Sequence, residues 1–428
     1  MAVYKLDVYL KDKMVGKLCS DNATLSFAYT EEYLSAEFNI KLSASLPLEH
    51  VIYKHNETHA FFSGLLPDES VRSKLAEILS VSEKNVFALL ERVGGECAGA
   101  ISLYPEGEKP SDMPNNEFKV FSTNDADNIL SSLDKHPMLA DDENIRISGA
   151  GAQNKLMISF KDDKIAVPLG STPSTHIIKP AIQNSINGLN ISDSVHNELF
   201  CMKLAKEVGL PVPDVNVYWL KDKPYYVIDR YDRIIEGSGS VIRLHQEDFC
   251  QALNIAPEMK YENENGPSIK DCFDLISGRI ASGSMAGMNK ITLLQAVIFN
   301  YLVGNGDAHG KNFSILYKDD YEELAPFYDI LSTVVYGNRH KDKMAMKIGS
   351  KYKFKDVQTR HLIQLGVDVG FKETFVKKQI HMLAEMRIGK AAQKVYTKLN
   401  ADKSTSSKIY DEIMATIIRN SKQILSGI

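Results

Sequence analysis

The sequence predicts an α+β protein with a two-lobed core, in which a small β-rich lobe is followed by a large helical lobe and preceded by a small α+β module. Two changes of pattern along the chain predict this class. Short strand patterns surround one amphipathic helix up to about residue 240, and the pattern is helical from there onward. A polar segment over 106–116, with two prolines, separates the first module from the rest. The predicted domains are therefore 1–110, 111–240 and 241–428.

The composition excludes several classes of protein. The chain has 428 residues, of which 44% are hydrophobic and 25% are charged. These fractions exclude a disordered chain, a collagen and a coiled-coil rod. The net charge of -5 gives no sign of direct nucleic-acid binding, so such contact would need a local patch or a partner. The five cysteines include no C-x-x-C pair, which indicates neither a disulfide framework nor a zinc ribbon and predicts buried, reduced thiols.

The first module begins with a strand pattern. The apolar residues that alternate with polar ones are Tyr4, Leu6, Val8 and Leu10. Residues 61–79 predict a turn followed by a helix that starts near Pro67. The N-terminal segment lacks the apolar region of a signal peptide, and no window approaches 18 consecutive apolar residues. We therefore expect a cytoplasmic protein without a transmembrane helix.

The second predicted domain contains strands around a glycine loop. A short helix is predicted over 125–133. Residues 145–170 then predict a strand, a glycine loop, a strand, a turn and a strand. The next strand ends at Lys179, and the amphipathic helix that follows ends before Gly209. A pair of strands is predicted between residues 215 and 233.

The third predicted domain is helical. Residues 290–304 are apolar nearly all round, as expected of a helix buried in a larger lobe. A second apolar stripe lies over 371–388. A third stripe consists of Ile409, Ile413, Ile417 and Ile418.

A polar loop directly after the buried helix holds the residues that indicate chemistry. The helix ends at Gly304, and the loop carries Asp307, His309, Lys311 and Asn312. Two predicted strands follow, and the second ends at Asp329. Phosphoryl transfer needs a carboxylate that orients the acceptor hydroxyl, oxygen ligands for Mg²⁺ and a cation for the phosphates. The spacing of five residues from Asp307 to Asn312 is that of the protein-kinase catalytic loop, and Asp329 follows 17 residues later, where kinases place a metal-binding Asp.

Upstream residues could supply the nucleotide side of such a site. Lys179 ends a strand, as a phosphate-binding Lys should, and Glu198 on the next helix could pair with it. Residues 148–155 (SGAGAQNK) form a small-residue turn whose backbone N–H groups could approach phosphates. The chain contains no Walker A pattern, and the turn lacks the third glycine of G-x-G-x-x-G. The order of these features along the chain indicates a kinase more than any one of them does.

Each feature also has a structural alternative. The glycine turn could be an ordinary hairpin, and Lys179 or Glu198 could be a solvated surface residue. Asp329 could be the N-cap of a helix. The loop around Asp307 and His309 could be a surface turn or part of a metal-hydrolase site, although the next His has no suitable ligand spacing.

A basic run follows Asp329. Between residues 339 and 355 the chain has seven Lys or Arg against one Asp, a local charge of +6. The run consists of Arg339, Lys341, Lys343, Lys347, Lys351, Lys353 and Lys355. It is either a solvated strand face or a docking segment for an anionic protein substrate or a nucleic acid.

The ordered motifs resemble those of the HipA-type serine/threonine protein kinase toxins of bacterial toxin–antitoxin modules. The first module resembles the family's N-terminal domain in FFSGLLPDESVR and GGECAGAISLYP. The rest resembles successive motifs of the kinase core in SGAGAQNK, THIIKP, NELFCMKLAKEVGLPVPD, DRYDR, RLHQEDFCQ, KYENENGPS, GDAHGKNFSI and PFYDI. The resemblance covers nearly the whole chain and implies the two-lobed, protein-kinase-like fold.

The resemblance implies a role for each matching residue. Asp307 would be the catalytic base, and Lys179 would bind the α- and β-phosphates of ATP. Asn312 and Asp329 would hold Mg²⁺. The phosphate loop would consist of Ala150, Gly151, Ala152, Gln153, Asn154 and Lys155. The hinge that meets adenine through backbone groups would consist of Asp229, Arg230 and Tyr231. The nucleotide site would also include His309, Gly310, Lys311, Asn312, Tyr328 and Asp329.

Ser148 matches the loop serine that the family autophosphorylates. A phosphate there would add roughly -2 charge to the loop that accepts the phosphates of ATP. We therefore expect a phosphate on Ser148 to repel nucleotide and to displace the loop from its position.

The resemblance also implies substrates and partners. The family phosphorylates aminoacyl-tRNA synthetases, notably glutamyl-tRNA synthetase, and so inhibits translation and promotes growth arrest and persistence. Its usual partner is a HipB-like helix-turn-helix antitoxin that binds operator DNA. A catalytically silent DNA-binding corepressor and a small-molecule kinase are the alternative functions.

The chain departs from the kinase and family patterns at three points. Asn154 stands where an acidic residue is common, and Gly149 follows Ser148 directly. No Arg precedes Asp307, so the residue that usually binds an activation-loop phosphate is missing. Control through such a phosphate is therefore not expected.

Overall fold

The computed structural model describes residues 4–37, 39–110, 116–182, 191–237, 239–337 and 342–427. The chain forms two compact units. The first unit comprises Met1–Pro180, Ile228–Glu258 and Ile315–Asp319. The second unit comprises Ala181–Val227, Met259–Ser314 and Asp320–Ile428. No helix within the described ranges is long and apolar enough to cross a membrane.

Strands dominate the first half of the chain and helices the second half. The strands are β1 (Tyr4–Leu10), β2 (Lys13–Asp21), β3 (Thr24–Tyr29), β4 (Ile101–Pro105), β5 (Phe118–Val120), β6 (Leu156–Lys161), β7 (Lys164–Pro168), β8 (His176–Pro180), β9 (Val215–Leu220), β10 (Lys223–Asp229), β11 (Arg233–Ile235), β12 (Val241–Arg243), β13 (His245–Asp248), β14 (Ser314–Tyr317), β15 (Glu322–Leu324), β16 (Lys343–Ile348) and β17 (Lys351–Lys353). The helices are α1 (Glu31–Leu34), α2 (His55–Gly64), α3 (Glu69–Ile78), α4 (Val86–Val93), α5 (Thr123–Ser131), α6 (Ser194–Glu207), α7 (Phe249–Ala252), α8 (Ile269–Ala281), α9 (Met288–Val303), α10 (Thr359–Asp368), α11 (Glu373–His381), α12 (Ile388–Asn400) and α13 (Ile409–Leu425). This mixture confirms the predicted α+β class.

An antiparallel sheet in the order β3-β2-β1-β4 begins the first unit. The predicted alternation in β1 is only partly observed, because Tyr4 is exposed and the strand is covered on both faces from Leu6 onward. Helices α2 and α4 pack on this sheet, where Phe61 and Phe62 join one hydrophobic cluster with Phe27. The predicted turn before α3 is observed at Leu65, but it begins later than expected, since residues 61–64 form the last turn of α2. Burial of the two phenylalanines outweighs the low helix propensity of the glycine that follows.

A second antiparallel arrangement in the first unit has β5, β7, β6 and β8 as successive neighbours. The strand predicted just before the glycine loop is wrong. Ile147 forms only an isolated parallel bridge with Glu96. The backbone on either side of Ile147 bonds to the turn after α4. The Glu96 N–H donates to the Arg146 carbonyl at 2.8 Å, and the Ser148 N–H donates to the Glu96 carbonyl at 2.9 Å.

The buried helix of the second unit is α9, whose last eight residues are all buried. Gly304 ends this helix with φ of 75°. A Cβ at Gly304 would meet Val334 Cγ2 at 2.3 Å, so glycine is required where the chain leaves the helix for the polar loop. Helix α13 supports α9 from the other side, since Asn420 Nδ2 donates to the Tyr301 carbonyl at 2.9 Å.

Two predictions in the second unit need correction. The strand expected to end at Asp329 is shorter, because β15 stops at Leu324. Pro326 has no N–H, and the Phe327 N–H donates to the Pro211 carbonyl at 2.8 Å instead of to a strand. In α13, Ile418 is 51% exposed and does not belong to the apolar stripe, although the other three predicted residues are buried.

All five cysteines lie in the described part of the chain. Cys19 is half-buried, the other four are buried, and no disulfide joins them. Burial raises the pKa of Cys97 to about 12. Such a thiol is protonated and unreactive at neutral pH.

Candidate active site

The predicted phosphate loop lies in the first unit and is anchored at Ser148. This serine is 1% exposed. Its Oγ donates to the Leu65 carbonyl at 2.7 Å, and its N–H donates to the Glu96 carbonyl. Both partners come from the N-terminal module. The serine that the resemblance marks for phosphorylation is therefore held inside the unit.

The loop closes on its own lysine. Lys155 Nζ donates to the Ala150 carbonyl at 2.5 Å. Gln153 Nε2 donates to the Pro180 carbonyl at 3.3 Å, which ties the loop to the end of β8. Ala152 is exposed and Asn154 is half-buried, so the middle of the loop is partly accessible.

The N-terminal module also holds the loop through Gly151. This glycine has φ of 102° and forms an isolated parallel bridge with Pro67. The Asp68 N–H donates to the Gly151 carbonyl at 3.2 Å. A Cβ at Gly151 would lie 2.5 Å from Lys155 Nζ, so a larger residue would disturb the closed loop. The loop is thus more than an ordinary hairpin turn.

Lys179 lies near the end of β8 and is 6% exposed. The alternative of a solvated edge residue is therefore wrong. His176 begins the same strand, and its Nε2 lies 3.4 Å from Asp229 Oδ1 in the predicted hinge. Burial lowers the pKa of His176, and the charge of Asp229 opposes this shift.

The predicted hinge, Asp229, Arg230 and Tyr231, follows β10. The Arg230 N–H donates to the Thr175 carbonyl at 2.9 Å. The Arg230 side chain points into the interior, where Nη1 lies 3.2 Å from Glu96 Oε1 and Nη2 lies 2.8 Å from Asp232 Oδ2. The Tyr231 hydroxyl donates to Gln246 Oε1. Both backbone groups of Arg230 are hydrogen-bonded as well, because its carbonyl accepts from the Arg233 N–H at 3.2 Å. The adenine-binding role of this segment therefore stays a prediction.

Asp307 lies in the second unit, in the polar loop after α9. The Tyr261 hydroxyl donates to Asp307 Oδ1 at 2.8 Å. The Asp307 N–H donates to Asn305 Oδ1 at 3.0 Å, and Asn312 Nδ2 donates to the Asp307 carbonyl at 2.9 Å. The backbone and one carboxylate oxygen of Asp307 are therefore fixed, while the carboxylate keeps a second oxygen for an acceptor hydroxyl.

His309 is influenced by the charges of both Asp307, the predicted base, and Asp329, a predicted metal ligand. It is 6% exposed, and its ring meets the Tyr261 ring edge-on with 5.2 Å between centroids. Burial lowers the pKa of His309, whereas the charges of both Asp307 and Asp329 raise it.

The rest of the loop is joined to the segment before Asp329. The Tyr328 hydroxyl donates to the Lys311 carbonyl at 2.8 Å and lies 2.7 Å from Ser314 Oγ. The Gly310 N–H donates to the Lys260 carbonyl at 3.4 Å. Tyr328 thus joins the loop at Lys311 to the segment before Asp329.

Asp329 has φ of 57°, a left-handed conformation that few residues other than glycine adopt. The helical N-cap alternative is wrong, since the nearest helical turn is a 3₁₀ turn at Val334–Tyr336. Glu198 on α6 is 3% exposed, so the exposed-surface alternative is wrong as well. Burial raises the pKa of Tyr226, with further contributions from the charges of Glu198 and Asp329. Glu198 and Asp329 therefore lie near one hydroxyl group. The pairing of Glu198 with Lys179 stays a prediction.

The donor atoms fit a magnesium ion that is also held by phosphates. Mg²⁺ prefers oxygen ligands and is commonly bound through one or two carboxylates plus substrate phosphates. Asp329 offers a carboxylate. Because Asn312 Nδ2 donates to the Asp307 carbonyl, its Oδ1 points away from that carbonyl and can serve as a ligand. In the described ranges, no group of three or more His, Cys, Asp or Glu is placed to hold a metal ion.

The basic run is partly neutralised where it is described. Arg339 and Lys341 lie outside the described residues. Lys347 Nζ lies 2.9 Å from Glu262 Oε1, and Lys353 Nζ lies 3.7 Å from Asp342 Oδ2. The role of the basic run in docking a substrate or a nucleic acid stays a hypothesis.

Sequence reasoning missed Tyr261 as a site residue. The motif KYENENGPS contains it and was part of the resemblance, but nothing in the pattern assigned a function to the tyrosine. Its partner Asp307 is 46 residues away along the chain.

A glycine loop and a buried lysine in the first unit, and a loop with Asp307 and Asn312 in the second, match the order of motifs expected of a protein kinase. This is the class of protein that the fold and the site define. Residues 147–402 match the HipA-like C-terminal domain, and residues 6–104 match the HipA N-terminal domain. The chain therefore belongs to the HipA family of kinase toxins, as the motifs predict.

Individual relatives agree with this assignment. The chain is 31% identical over 357 residues to the serine/threonine-protein kinase toxin HipA of Shewanella oneidensis. The aligned region covers 81% of this chain and 79% of the relative. It is 40% identical over 389 residues to the protein Y4mE of Sinorhizobium fredii, with 90% of each chain covered. A solved structure of Shewanella oneidensis HipA with HipB and operator DNA matches with a TM-score of 0.81 and 27% identity over 98% of this chain and 97% of that chain. The two-lobed, kinase-like fold class is thereby confirmed.

Proposed function

We propose that the protein is a serine/threonine protein kinase toxin that transfers the γ-phosphoryl group of ATP to a serine of a protein. The observation that carries this proposal is the setting of Asp307. Its carboxylate is oriented by the hydrogen bond from Tyr261, and its backbone is fixed by the hydrogen bond from Asn312 to its carbonyl. Kinase catalysis is mostly positioning and electrostatic stabilisation, and this group supplies the positioning.

Each residue has one task in the proposed reaction. Asp307 would orient the serine hydroxyl and accept its proton. Lys179 would bind the α- and β-phosphates, and the backbone of the hinge would meet adenine. Asn312 and Asp329 would hold Mg²⁺, which offsets the charge on the transferred phosphoryl group when bound. The division into 1–110, 111–240 and 241–428 is retained as the proposed assignment of the N-terminal domain and the two lobes.

The proposed substrate is an aminoacyl-tRNA synthetase such as glutamyl-tRNA synthetase. Phosphorylation of such an enzyme would inhibit translation and arrest growth. Family membership supports this choice, since the resemblance implies it.

The proposed partner is a HipB-like helix-turn-helix antitoxin bound to operator DNA. The relative from Shewanella oneidensis was solved with HipB and its operator DNA. The net charge of -5 fits DNA contact made mainly through that partner. We propose the cytoplasm as the place of action, because operator DNA lies there.

We expect a negative charge at Ser148 to weaken ATP binding. Ser148 Oγ donates a hydrogen bond to the Leu65 carbonyl in a buried position, and a phosphate would place about -2 charge against that carbonyl. The loop would have to leave its position. The Ser148→Glu variant and the phosphorylated protein should bind ATP at least about tenfold more weakly, whereas Ser148→Ala should bind it normally. Calorimetric titration measures this, and equal affinity of all three forms would contradict self-inactivation.

The function is tested by phosphoproteomics after induction of the chain in a bacterial host. Wild type should arrest growth and add phosphoserine to a small set of proteins, including a synthetase. Asp307→Ala should do neither. Growth arrest by Asp307→Ala, with operator binding retained, would instead favour the silent corepressor. Labelled phosphate that appears only in metabolites would favour a small-molecule kinase.

A further inference from the structure

One amide side chain joins α6 to the segment that follows Asp329. Asn197 lies on α6 and is 0% exposed. Its Nδ2 donates to the Ser332 carbonyl at 2.9 Å, and its Oδ1 accepts from the Ser332 N–H at 2.8 Å. Both backbone groups of one buried residue are thus satisfied by a single side chain, which fixes the position and the direction of the chain at Ser332.

The segment held in this way contains Asp329. Asp329 lies three residues before Ser332 and has φ of 57°. Asp tolerates this left-handed region better than most residues other than glycine, but the region is sparsely populated, so contacts on both sides of Asp329 help to hold it. The Phe327 N–H donates to the Pro211 carbonyl on one side, and the Thr333 N–H donates to the Gly304 carbonyl at 3.0 Å on the other. Asn197 supplies two hydrogen bonds at Ser332, three residues after Asp329.

We call the two hydrogen bonds between Asn197 and Ser332 the clamp. The clamp starts from α6, the helix that also carries Glu198. Asn197 and Glu198 are consecutive residues on α6, and Glu198 and Asp329 both act on the Tyr226 hydroxyl. In ordinary kinases, a phosphate on the activation segment controls the position of the corresponding helix and of the metal-binding Asp. This chain lacks the Arg that would bind such a phosphate. The two elements are instead joined by the two hydrogen bonds between Asn197 and Ser332, which need no phosphate.

We propose that Asn197 is a positioning residue that holds Asp329 in the orientation that binds the metal ion of the nucleotide. This inference rests on the proposed function, since it takes Asp329 as a metal ligand. The clamp makes the metal site preorganised in the absence of any activating modification. Loss of the clamp should therefore weaken metal binding more than nucleotide binding.

A second buried asparagine provides the matched control. Asn420 on α13 is 2% exposed and donates to the carbonyls of Tyr301 at 2.9 Å and Leu302 at 3.3 Å. It is as buried as Asn197 and also satisfies backbone groups. However, it binds α9 and not the segment after Asp329. A merely structural role for Asn197 predicts the same behaviour for both alanine variants.

The test is a titration of the full-length protein with Mn²⁺, followed by electron paramagnetic resonance, in the presence of a non-hydrolysable ATP analogue. Asn197→Ala should bind Mn²⁺ at least about tenfold more weakly than wild type, at equal folded fraction, a factor that corresponds to 1.4 kcal/mol. Its affinity for the analogue without metal should change less than about twofold. Asn420→Ala should match wild type in both titrations. Ser332→Ala should match it too, because Asn197 binds only the backbone of Ser332 and the Ser332 Oγ has no hydrogen-bond partner among the described residues.

The outcomes separate this inference from the proposed function. If wild type binds no Mn²⁺ with the analogue, the proposed function fails first. If wild type binds it and Asn197→Ala binds it equally well, only the positioning role is overturned. Equal losses in Asn197→Ala and Asn420→Ala would overturn it as well. Should Asn197→Ala be unfolded, Asn197→Ser replaces it, because serine is polar but cannot reach both groups of Ser332, and the same tenfold loss is expected.

Discussion

Replacement of Asp307 by asparagine is expected to lower kcat for phosphate transfer by a factor of about 10² to 10⁴. The amide cannot accept the proton of the acceptor hydroxyl. The surrounding geometry should survive, since the new side chain keeps an oxygen that can accept from Tyr261, and the bond from Asn312 goes to the backbone carbonyl. ATP affinity should therefore change less than about twofold. Steady-state assays with labelled ATP, combined with equilibrium nucleotide binding, measure both quantities.

A matched control for this variant is Asp368→Asn in the same unit. Asp368 ends α10, and its Oδ1 accepts a hydrogen bond from Gln364 Nε2 at 2.7 Å at an exposed position. This variant makes the same chemical change away from the candidate site and should retain full kcat. Retention of more than about a tenth of wild-type kcat by Asp307→Asn would contradict the role of Asp307 as the base.

Local spacing made part of the candidate site predictable. Asp307 and Asn312 are five residues apart in one loop, so the sequence alone places them together. Glu198 and Lys179 were recognised from their order along the chain, but the sequence left open whether either was exposed. Burial depends on what packs over a helix or a strand end, and a single position carries no period from which to infer it.

The contacts that orient the site could not be predicted from the sequence. The bond from Asn197 to Ser332 spans 135 residues, and the bond from Ser148 to Leu65 spans 83. Hydrogen bonds between distant segments leave no hydrophobic period and no spacing rule in the sequence. The strand predicted before the glycine loop failed for the same reason, since its backbone bonds go to Glu96, about 50 residues earlier.

Removal of Glu96 is expected to cause a large loss of stability in the first unit. Glu96 is 1% exposed, and its Oε1 lies 3.2 Å from Arg230 Nη1 and 3.0 Å from Arg233 Nη2. Asp232 pairs with the same two arginines at 2.8 and 3.1 Å. The cluster thus holds two positive and two negative charges. Glu96→Ala leaves it with a net buried charge of +1.

The direction of the pKa shifts agrees with a tightly coupled cluster. Burial alone would raise the pKa of Glu96, but the charges of Arg230 and Arg233 outweigh it and lower the pKa below its usual value. Burial and the nearby Arg230 lower the pKa of Arg233 to about 10. Each charge in the cluster therefore depends on its partners. Breaking a buried pair by removal of one partner costs about 3–5 kcal/mol.

We therefore expect Glu96→Ala to lower the free energy of unfolding by about 3–5 kcal/mol at pH 7, as measured by urea denaturation. The pKa of Glu96 is lowered in the folded state, so its contribution is present above the unfolded pKa of about 4.3 and is lost as the pH falls further. The difference between wild type and variant should consequently narrow in acid. The control is Glu106→Ala, which removes an exposed ion pair with Lys17 and should not change the urea midpoint measurably.

The loss should also be local, which gives the prediction a second and independent measurement. The cluster joins the turn at 96–99 to the hinge segment, since the Gly99 N–H donates to Asp232 Oδ2 at 2.7 Å and Arg230 Nη2 donates to the Cys97 carbonyl at 3.2 Å. Hydrogen exchange in Glu96→Ala should rise in peptides that cover 96–104 and 228–244. Peptides around Trp219, in the second unit, should exchange as in wild type. An unchanged urea midpoint, or an increase in exchange spread evenly over the chain, would mean that the buried charges do not fix the hinge segment. If the cluster does position this segment, loss of Glu96 must raise hydrogen exchange there before it does so elsewhere.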